Sequence, residues 1–283
     1  MTSILRTGSV RVLDDRDVTG VMQLLATDPV TNVFVASRVE TAGVDPWRLG
    51  AEIWGYHEGG QLQALCYSGA NLVPVNASAT SARAFADKAR RQGRRCSSIV
   101  GPADAVDEMW AALHRAWGPA RDVRPDQPLM ATSRAPAVEP DPLVRRVQPH
   151  EFDIVLPACI AMFTEEVGVS PLTGDGGDLY RRRVAELIAQ RRAFARIEDG
   201  RVLFKAEIGA LSSAACQIQG VWVDPQLRGR GYGTAGTAAV VAEALATAAP
   251  VVSLYVNEYN EPARRAYERV GFTEIGAFMS VLF

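Results

Sequence analysis

Histidine and cysteine are scarce in this 283-residue sequence, at three and four residues. His57, His114 and His150 lie far from one another and from every cysteine. Cys66, Cys96, Cys159 and Cys216 stand 30, 63 and 57 residues apart, with no CxxC. A local zinc pattern is therefore absent and no metal is expected. Isolated cysteines suit a reducing compartment, so the expected location is the cytoplasm. An excess of one charge is also missing. Thirty basic residues face 32 acidic ones, a net charge of −2, which gives no pull toward nucleic acid or a membrane surface. The first residues, MTSILRTGSVRVL, hold no apolar run long enough for a signal peptide. The uncharged stretch Ile208–Val223 is broken by Gly, Ser and Gln, so it does not read as the apolar run of about 20 residues that a membrane helix needs.

What is present is a core. Apolar residues make up 48% of the chain and charged residues 22%, which excludes a disordered or collagen-like polymer. The length allows one large domain or two ordinary ones. Residues 134–142, RAPAVEPDP, carry three prolines and no hydrophobic period, so they read as a linker between domains at 1–133 and 143–283. The two halves share a plan. Val10–Leu13 and Val144–Val147 each read as a short strand ahead of a long helical region. Later in each half, two extended runs meet at a turn: AEIWGYH and QLQALCYS across EGG, then RAFARIE and RVLFKAEIGALS across DG. The next strand ends in LVPV in the first half and in VWVDP in the second.

The second half reads in more detail. Helices are expected over Pro149–Glu166, Asp178–Gln190 and Gly233–Ala249. Val202, Phe204, Ala206 and Ile208 alternate with Leu203, Lys205 and Glu207, which is strand period. Further strands are expected at Cys216–Val223, Val251–Val256 and Phe278–Phe283. Antiparallel strands followed by βαβ crossovers imply a mixed sheet in an α/β (α+β) fold.

Two segments carry chemistry. In VWVDPQLRGRGYGTAG, residues 221–236, a strand runs into a loop with Arg228, Gly229, Arg230, Gly231, Tyr232 and Gly233, with Thr234 next, and then a helix starts. Glycines let such a loop bring its N–H groups close to an anion, and the helix start adds unpaired N–H groups and a positive dipole end. The loop lacks the Gly-Lys-Ser/Thr of a Walker motif and the spacing of a dinucleotide fingerprint. The strand, the helix and two arginines favour a phosphate cradle over a flexible turn. In NEPARRAYERVGF, residues 260–272, Asn260 is an N-cap. Ala263, Ala266, Tyr267 and Val270 share one helix face, so Tyr267 points into the domain, as core or as more.

Together these segments resemble the GNAT superfamily of acyl-CoA-dependent N-acetyltransferases. Arg228, Gly231 and Gly233 are similar to its motif A, Q/R-x-x-G-x-G/A. Asn260, Ala263, Tyr267, Gly271 and Phe272 are similar to its motif B, N-x-x-A-x-x-x-Y-x-x-x-G-F. The first half resembles a GNAT domain by plan alone, because its loop after LVPV is NASATSA, residues 76–82, without glycine and without arginine before Arg83. The resemblance therefore implies two GNAT-like domains, each a mixed, mostly antiparallel sheet flanked by helices. The first would be degenerate, an arrangement known in actinobacterial members and, more distantly, in mycothiol synthase.

The resemblance also implies roles. Backbone groups of Val221, Trp222 and Val223 would pair with the pantetheine arm of acetyl-CoA, the cosubstrate. The N–H groups of residues 228–234 would hold its pyrophosphate, and Asn260 and Ala263 would meet its amide arm. Tyr267 would protonate the departing thiolate, a task that suits a phenol of pKa near ~10. The general base stays open. Where some members carry a glutamate, this chain has Gln217, and neither it nor Gln219 takes a proton. Glu207 and Glu258 are candidates. Glu165 and Glu166, with Gln217 and Gln219, are expected near the acceptor. The implied activity is acetyl transfer to a primary amine, on a small molecule or a peptide, in a ternary complex. A non-catalytic acyl-CoA sensor and an enzyme acting on a small thiol-containing amine are the alternatives. No nucleic acid or membrane partner is expected, and the chain is expected as a monomer or homodimer.

Overall fold

A computed structural model describes residues 8–173 and 176–283; the opening segment MTSILRT lies outside them. The chain forms two compact units, residues 1–129 with 255–258 and 275–283, and residues 130–254 with 259–274. The sequence places the boundary within 134–142. The chain instead changes units at Leu129 and Met130, and its last segment returns to the first unit.

The first unit runs β1 (Ser9–Val12), α1 (Val18–Leu25), α2 (Val33–Ala42), α3 (Pro46–Leu49), β2 (Glu52–Glu58), β3 (Gln61–Ser68), β4 (Asn71–Val75), α4 (Ala79–Gln92), β5 (Ser98–Pro102), α5 (Ala103–Trp117) and most of β6 (Asp122–Thr132). Strands β1 to β4 pair antiparallel in chain order, and β4 pairs parallel with β5. Alternation along the strands separates two cores. Trp54, Cys66 and Leu72 face Phe85, Met109 and Leu113 of α4 and α5. Ile53, Leu65 and Val73 face Val21, Leu25 and Val35 of α1 and α2.

The second unit runs β7 (Arg145–Arg146), α6 (Phe152–Val167), α7 (Asp178–Ala189), β8 (Ala193–Glu198), β9 (Arg201–Leu211), β10 (Cys216–Val223), α8 (Tyr232–Thr247), β11 (Val252–Tyr255), α9 (Glu261–Val270) and the start of β12 (Thr273–Leu282). Its sheet is antiparallel from β7 to β10, and β11 is parallel to β10. Both units are thus mixed, mostly antiparallel sheets flanked by helices, as the resemblance implies. The β8–β9 turn is the expected Asp-Gly hairpin. Asp199 and Gly200 have φ of +48° and +73°, the left-handed pair that matches strand twist. Residues Phe278–Leu282 of β12 pair antiparallel with β5, so the expected last strand of the second half completes the sheet of the first unit.

Candidate functional site

The site in the second unit begins with a parting of strands. β10 pairs with β9 as far as Val223, but with β11 only at Cys216 and Gln217. Among the described residues the edge of β10 beyond Gln217 carries no strand. Apart from the Val223 carbonyl, which accepts from Arg228, its outward N–H and C=O groups are left for another extended chain. A bulge assists the parting: between Gln219 and Trp222 the register with β9 slips, and Gly220 takes φ +60° there. Side chains past the bulge alternate. Val223 faces α8, since a Cβ built on Gly233 would lie 3.5 Å from its Cγ2. Trp222 faces α6, and its indole N–H donates to Glu165 at 3.3 Å.

The cradle follows at once. Asp224 closes β10 by accepting from the Gln226 N–H at 3.0 Å and from Arg201 at 2.6 Å. Gly229 and Gly231 have φ of +75° and +91°, and no atom lies within 4 Å of a Cβ built on either. The loop therefore requires glycine for backbone angle rather than for space. Gly231 is the N-cap of α8 and supplies no side-chain cap. The helical ladder starts with the Ala235 N–H on the Gly231 carbonyl at 3.0 Å. The N–H groups of Tyr232, Gly233 and Thr234 precede that bond, so they have no acceptor within the helix. Arg196 stacks over the Tyr232 ring at 4.9 Å. Arg230 is exposed. Arg228 donates to Glu165 at 2.6 Å and to the Val223 carbonyl at 3.1 Å, so Glu165 ties the cradle to α6. Close packing behind the cradle fixes α8: a Cβ on Gly236 would stand 2.7 Å from the Phe204 ring.

Helix α9 supplies the motif B residues. Asn260 caps it, its Oδ1 accepting from the Ala263 N–H at 3.3 Å. Tyr267 is buried and meets Phe272 edge to face at 6.1 Å. Burial raises its pKa above the usual phenol value, and the charge of Glu166 adds to the rise. The phenol is therefore fully protonated at neutral pH.

The candidate carboxylates separate by their partners. Glu207 is nearly buried, with one oxygen 3.2 Å from the Lys205 ammonium and the other accepting from Gln219 at 2.9 Å. Burial disfavours the Lys205 charge, but Glu207 and Cys159 outweigh it and hold the pKa above the ordinary lysine value. Glu258 is exposed and groups with the first unit, where its N–H donates to the Asp126 carbonyl at 3.3 Å. Gln217 is buried, level with Ala210 and Ser253. Gln219 lies against Gly209, where an added Cβ would be 2.0 Å from its side chain. Glu166 is exposed, and its charge contributes to the raised pKa of both Tyr180 and Tyr267.

Sequence reasoning missed Lys205, Cys159 and Tyr180. Tyr180 donates to the Cys159 carbonyl at 2.7 Å, and burial, before any charge, raises its pKa. One signal was available. Lys205 and Glu207 are charges at i and i+2 in an otherwise apolar strand, which puts both on one covered face. Among the described residues no group of three or more His, Cys, Asp or Glu side chains could hold a metal.

Residues 179–272 match the acetyltransferase (GNAT) family, and residues 51–155 match a domain of unknown function, DUF4081. No curated protein matches the chain. Solved structures match it over nearly its whole length. A GCN5-related N-acetyltransferase from Sphaerobacter thermophilus is 17% identical, with 97% of this chain and 95% of that one covered and a TM-score of 0.58. A tandem GNAT protein from the clavulanic acid biosynthesis pathway is 16% identical, with 98% of each chain covered and a TM-score of 0.50. A Drosophila protein is 13% identical, with 97% and 98% covered and a TM-score of 0.68. At these identities the likeness is one of fold.

Proposed function

On this GNAT fold, with a GNAT-family acetyltransferase domain over residues 179–272, we propose that the second unit moves an acetyl group from acetyl-CoA to a primary amine. The carrying observation is that one strand has both an open edge and, at its end, an uncapped helix start behind a glycine loop. Val221 and Val223 offer backbone groups to the pantetheine arm, with Trp222 between them. The N–H groups of residues 228–234 hold the pyrophosphate, with the charges of Arg228 and Arg230 beside them. The Asn260 oxygen caps α9, so its amide N–H groups reach the cosubstrate's amide arm near Ala263.

Glu165 and Glu166 draw a cationic amine to the α6 face. Glu166, through water, takes the proton that the amine must lose before its lone pair attacks the thioester carbon. We give it this role because Glu166 is exposed to solvent, whereas Glu207 is buried beside the Lys205 ammonium. Gln219 holds Glu207 and lines the approach, and Gln217 lies behind it. As the C–S bond breaks, the acylated nitrogen releases its second proton to solvent, and Tyr267 gives its phenolic proton to the thiolate sulfur and regains one from solvent. The setting is the cytoplasm, where four buried free thiols stay reduced.

A CoA-release assay with the full chain and a panel of amines tests this reading. Release with one acceptor is the expected result. Intact acetyl-CoA binding with no release from any amine would overturn it in favour of an acyl-CoA sensor.

A further inference from the structure

Two charged side chains of the second unit move no proton in the reaction above. Lys205 and Glu207 stand two residues apart in β9, on the face that meets α6 and α7. Both are buried, at 3% and 9% exposure. An ammonium and a carboxylate out of water need partners. Here they have each other at 3.2 Å. The Cys159 thiol of α6 is a further hydrogen-bond partner of Lys205, and the Gln219 amide is a further partner of Glu207. Stability does not require such a pair, because well-packed apolar side chains in its place are often neutral or stabilising.

The pair sits against the bulge of β10. Gln219 is level with Glu207, and Trp222 with Lys205. Between these positions β10 has two residues, Gly220 and Val221, where β9 has only Ala206. The extra residue turns Gly220 toward the pair. A Cβ built on Gly220 would lie 3.1 Å from Lys205 Nζ, 3.2 Å from Glu207 Cδ and 3.1 Å from Cε of Met162 in α6. The charged groups thus fill the space that a side chain at this position would need, and Gly220 takes φ +60° beside them. One carboxylate ties both ends of the bulge: Gln219 before it, and Lys205, opposite Trp222, after it. A strand without the bulge would slip by one residue and send Trp222 and Val223 to the opposite faces.

The bulge lies on the path of the cosubstrate's arm. The cradle follows the C-terminal end of β10, and the open edge runs from there back toward Gln217. An arm that leaves the cradle along Val223 and Val221 brings its thioester end to the bulge. We propose that Lys205 and Glu207 are positioning residues for acyl transfer. Neither touches substrate; the buried pair holds the Gly220 bulge and so aims the strand edge at the thioester. This inference rests on the acyl-transfer reading for what the bulge positions, though not for the pair's hold on the bulge.

The test replaces both charges in the full chain, Lys205→Met together with Glu207→Leu, which leaves no buried charge unpaired. The denaturation midpoint should stay near that of the wild type. Acetyl-CoA affinity, by calorimetry, should stay within about two-fold, because the cradle is a separate site. With an accepted amine, kcat should fall by ~10–10², since a small misplacement is enough. In the ligand-free chain, amide exchange over residues 219–222 should quicken while β8 is unchanged. Wild-type kcat in a stable double variant would overturn the proposal. So would a parallel loss of acetyl-CoA affinity and kcat, which would make the pair a support of the whole cosubstrate site. If the wild-type chain transfers to no amine, the transfer reading fails alone and exchange decides the pair. Faster exchange in the double variant would keep its hold on the bulge, and unchanged exchange would overturn it. Should the double variant not fold, Gly220→Ala presses a methyl group onto the pair from the bulge side. The same loss of kcat is expected there, and wild-type kcat would overturn the proposal.

Discussion

The two units build the same local device and finish it differently. In each, a strand pairs in parallel with the next strand at only two positions before the pairing ends: Asn71 and Leu72 with Ser98 and Ile99, then Cys216 and Gln217 with Val252 and Ser253. In each, the strand then enters a loop and a helix. In the second unit the freed edge keeps its N–H groups, the loop has two left-handed glycines, and the helix starts uncapped. In the first unit Pro74 stands on the freed stretch of β4 and has no N–H to give. Its ring is packed so near Gly101 that an added Cβ there would be 3.3 Å from Pro74 Cδ. Asn76 takes the left-handed turn at φ +50° and donates to Thr27 at 2.5 Å. The Ser78 hydroxyl accepts from the Ser81 N–H at 3.3 Å, capping α4 from within the chain. An anion finds donors in one unit and a self-satisfied turn in the other. The same topology leaves helix-start donors open in one unit and satisfied in the other; the cap residue and the proline decide it.

The largest expected effect is chemical and belongs to the second unit. Tyr267→Phe keeps the ring against Phe272 and removes the proton donor. We expect kcat to fall by ~10²–10⁴ with acetyl-CoA affinity nearly unchanged. Full turnover in this variant would reduce Tyr267 to a core residue.

Next is the buried pair beside the bulge. Lys205→Met leaves Glu207 covered and without its ammonium, which should cost about 3–5 kcal/mol by denaturant titration. The pKa of Lys205 is raised in the folded chain, so the stability it contributes is present below the unfolded value of 10.5 and is lost as pH rises through the folded value. The wild-type chain should therefore show an alkaline loss of stability above that pH that Lys205→Met lacks. Equal alkaline limbs would contradict the pairing.

Gly231→Asp sets a carboxylate in the cradle at a φ that favours glycine. Acetyl-CoA affinity should fall more than tenfold, about 1.4 kcal/mol, with a small change in the melting temperature of the ligand-free chain. The counterpart in the first unit should be the smallest effect. Ser78→Ala removes a cap and should lower stability by about 1 kcal/mol. It should leave acetyl-CoA binding untouched, as read by thermal melts with and without ligand.

Much of this was legible where the chemistry is local. Asp199-Gly200 declares a left-handed turn, Asn260 a cap, and Gly271, at φ +110°, a helix stop. The glycine loop declared a turn, and its glycines answer to backbone angle and not to crowding. What depends on distant partners was hidden. β6 contains Pro125 and Pro128, which argue against a strand, yet the Pro128 carbonyl accepts from the Val256 N–H at 3.2 Å. Phe278–Phe283 reads as a strand from its own residues, but nothing in them says that its partner is Ser98–Pro102. Glu207 reads from the sequence as one candidate base among several, because Lys205, Gln219 and the bulge that brings them together come from the fold.

The central claim is that one unit of the two binds acyl-CoA, and stoichiometry tests it most directly. Titration calorimetry of the full chain with acetyl-CoA should give one site per chain, with that site lost or weakened more than tenfold in Gly231→Asp. Two sites per chain, or one site that Gly231→Asp leaves intact, would contradict the account.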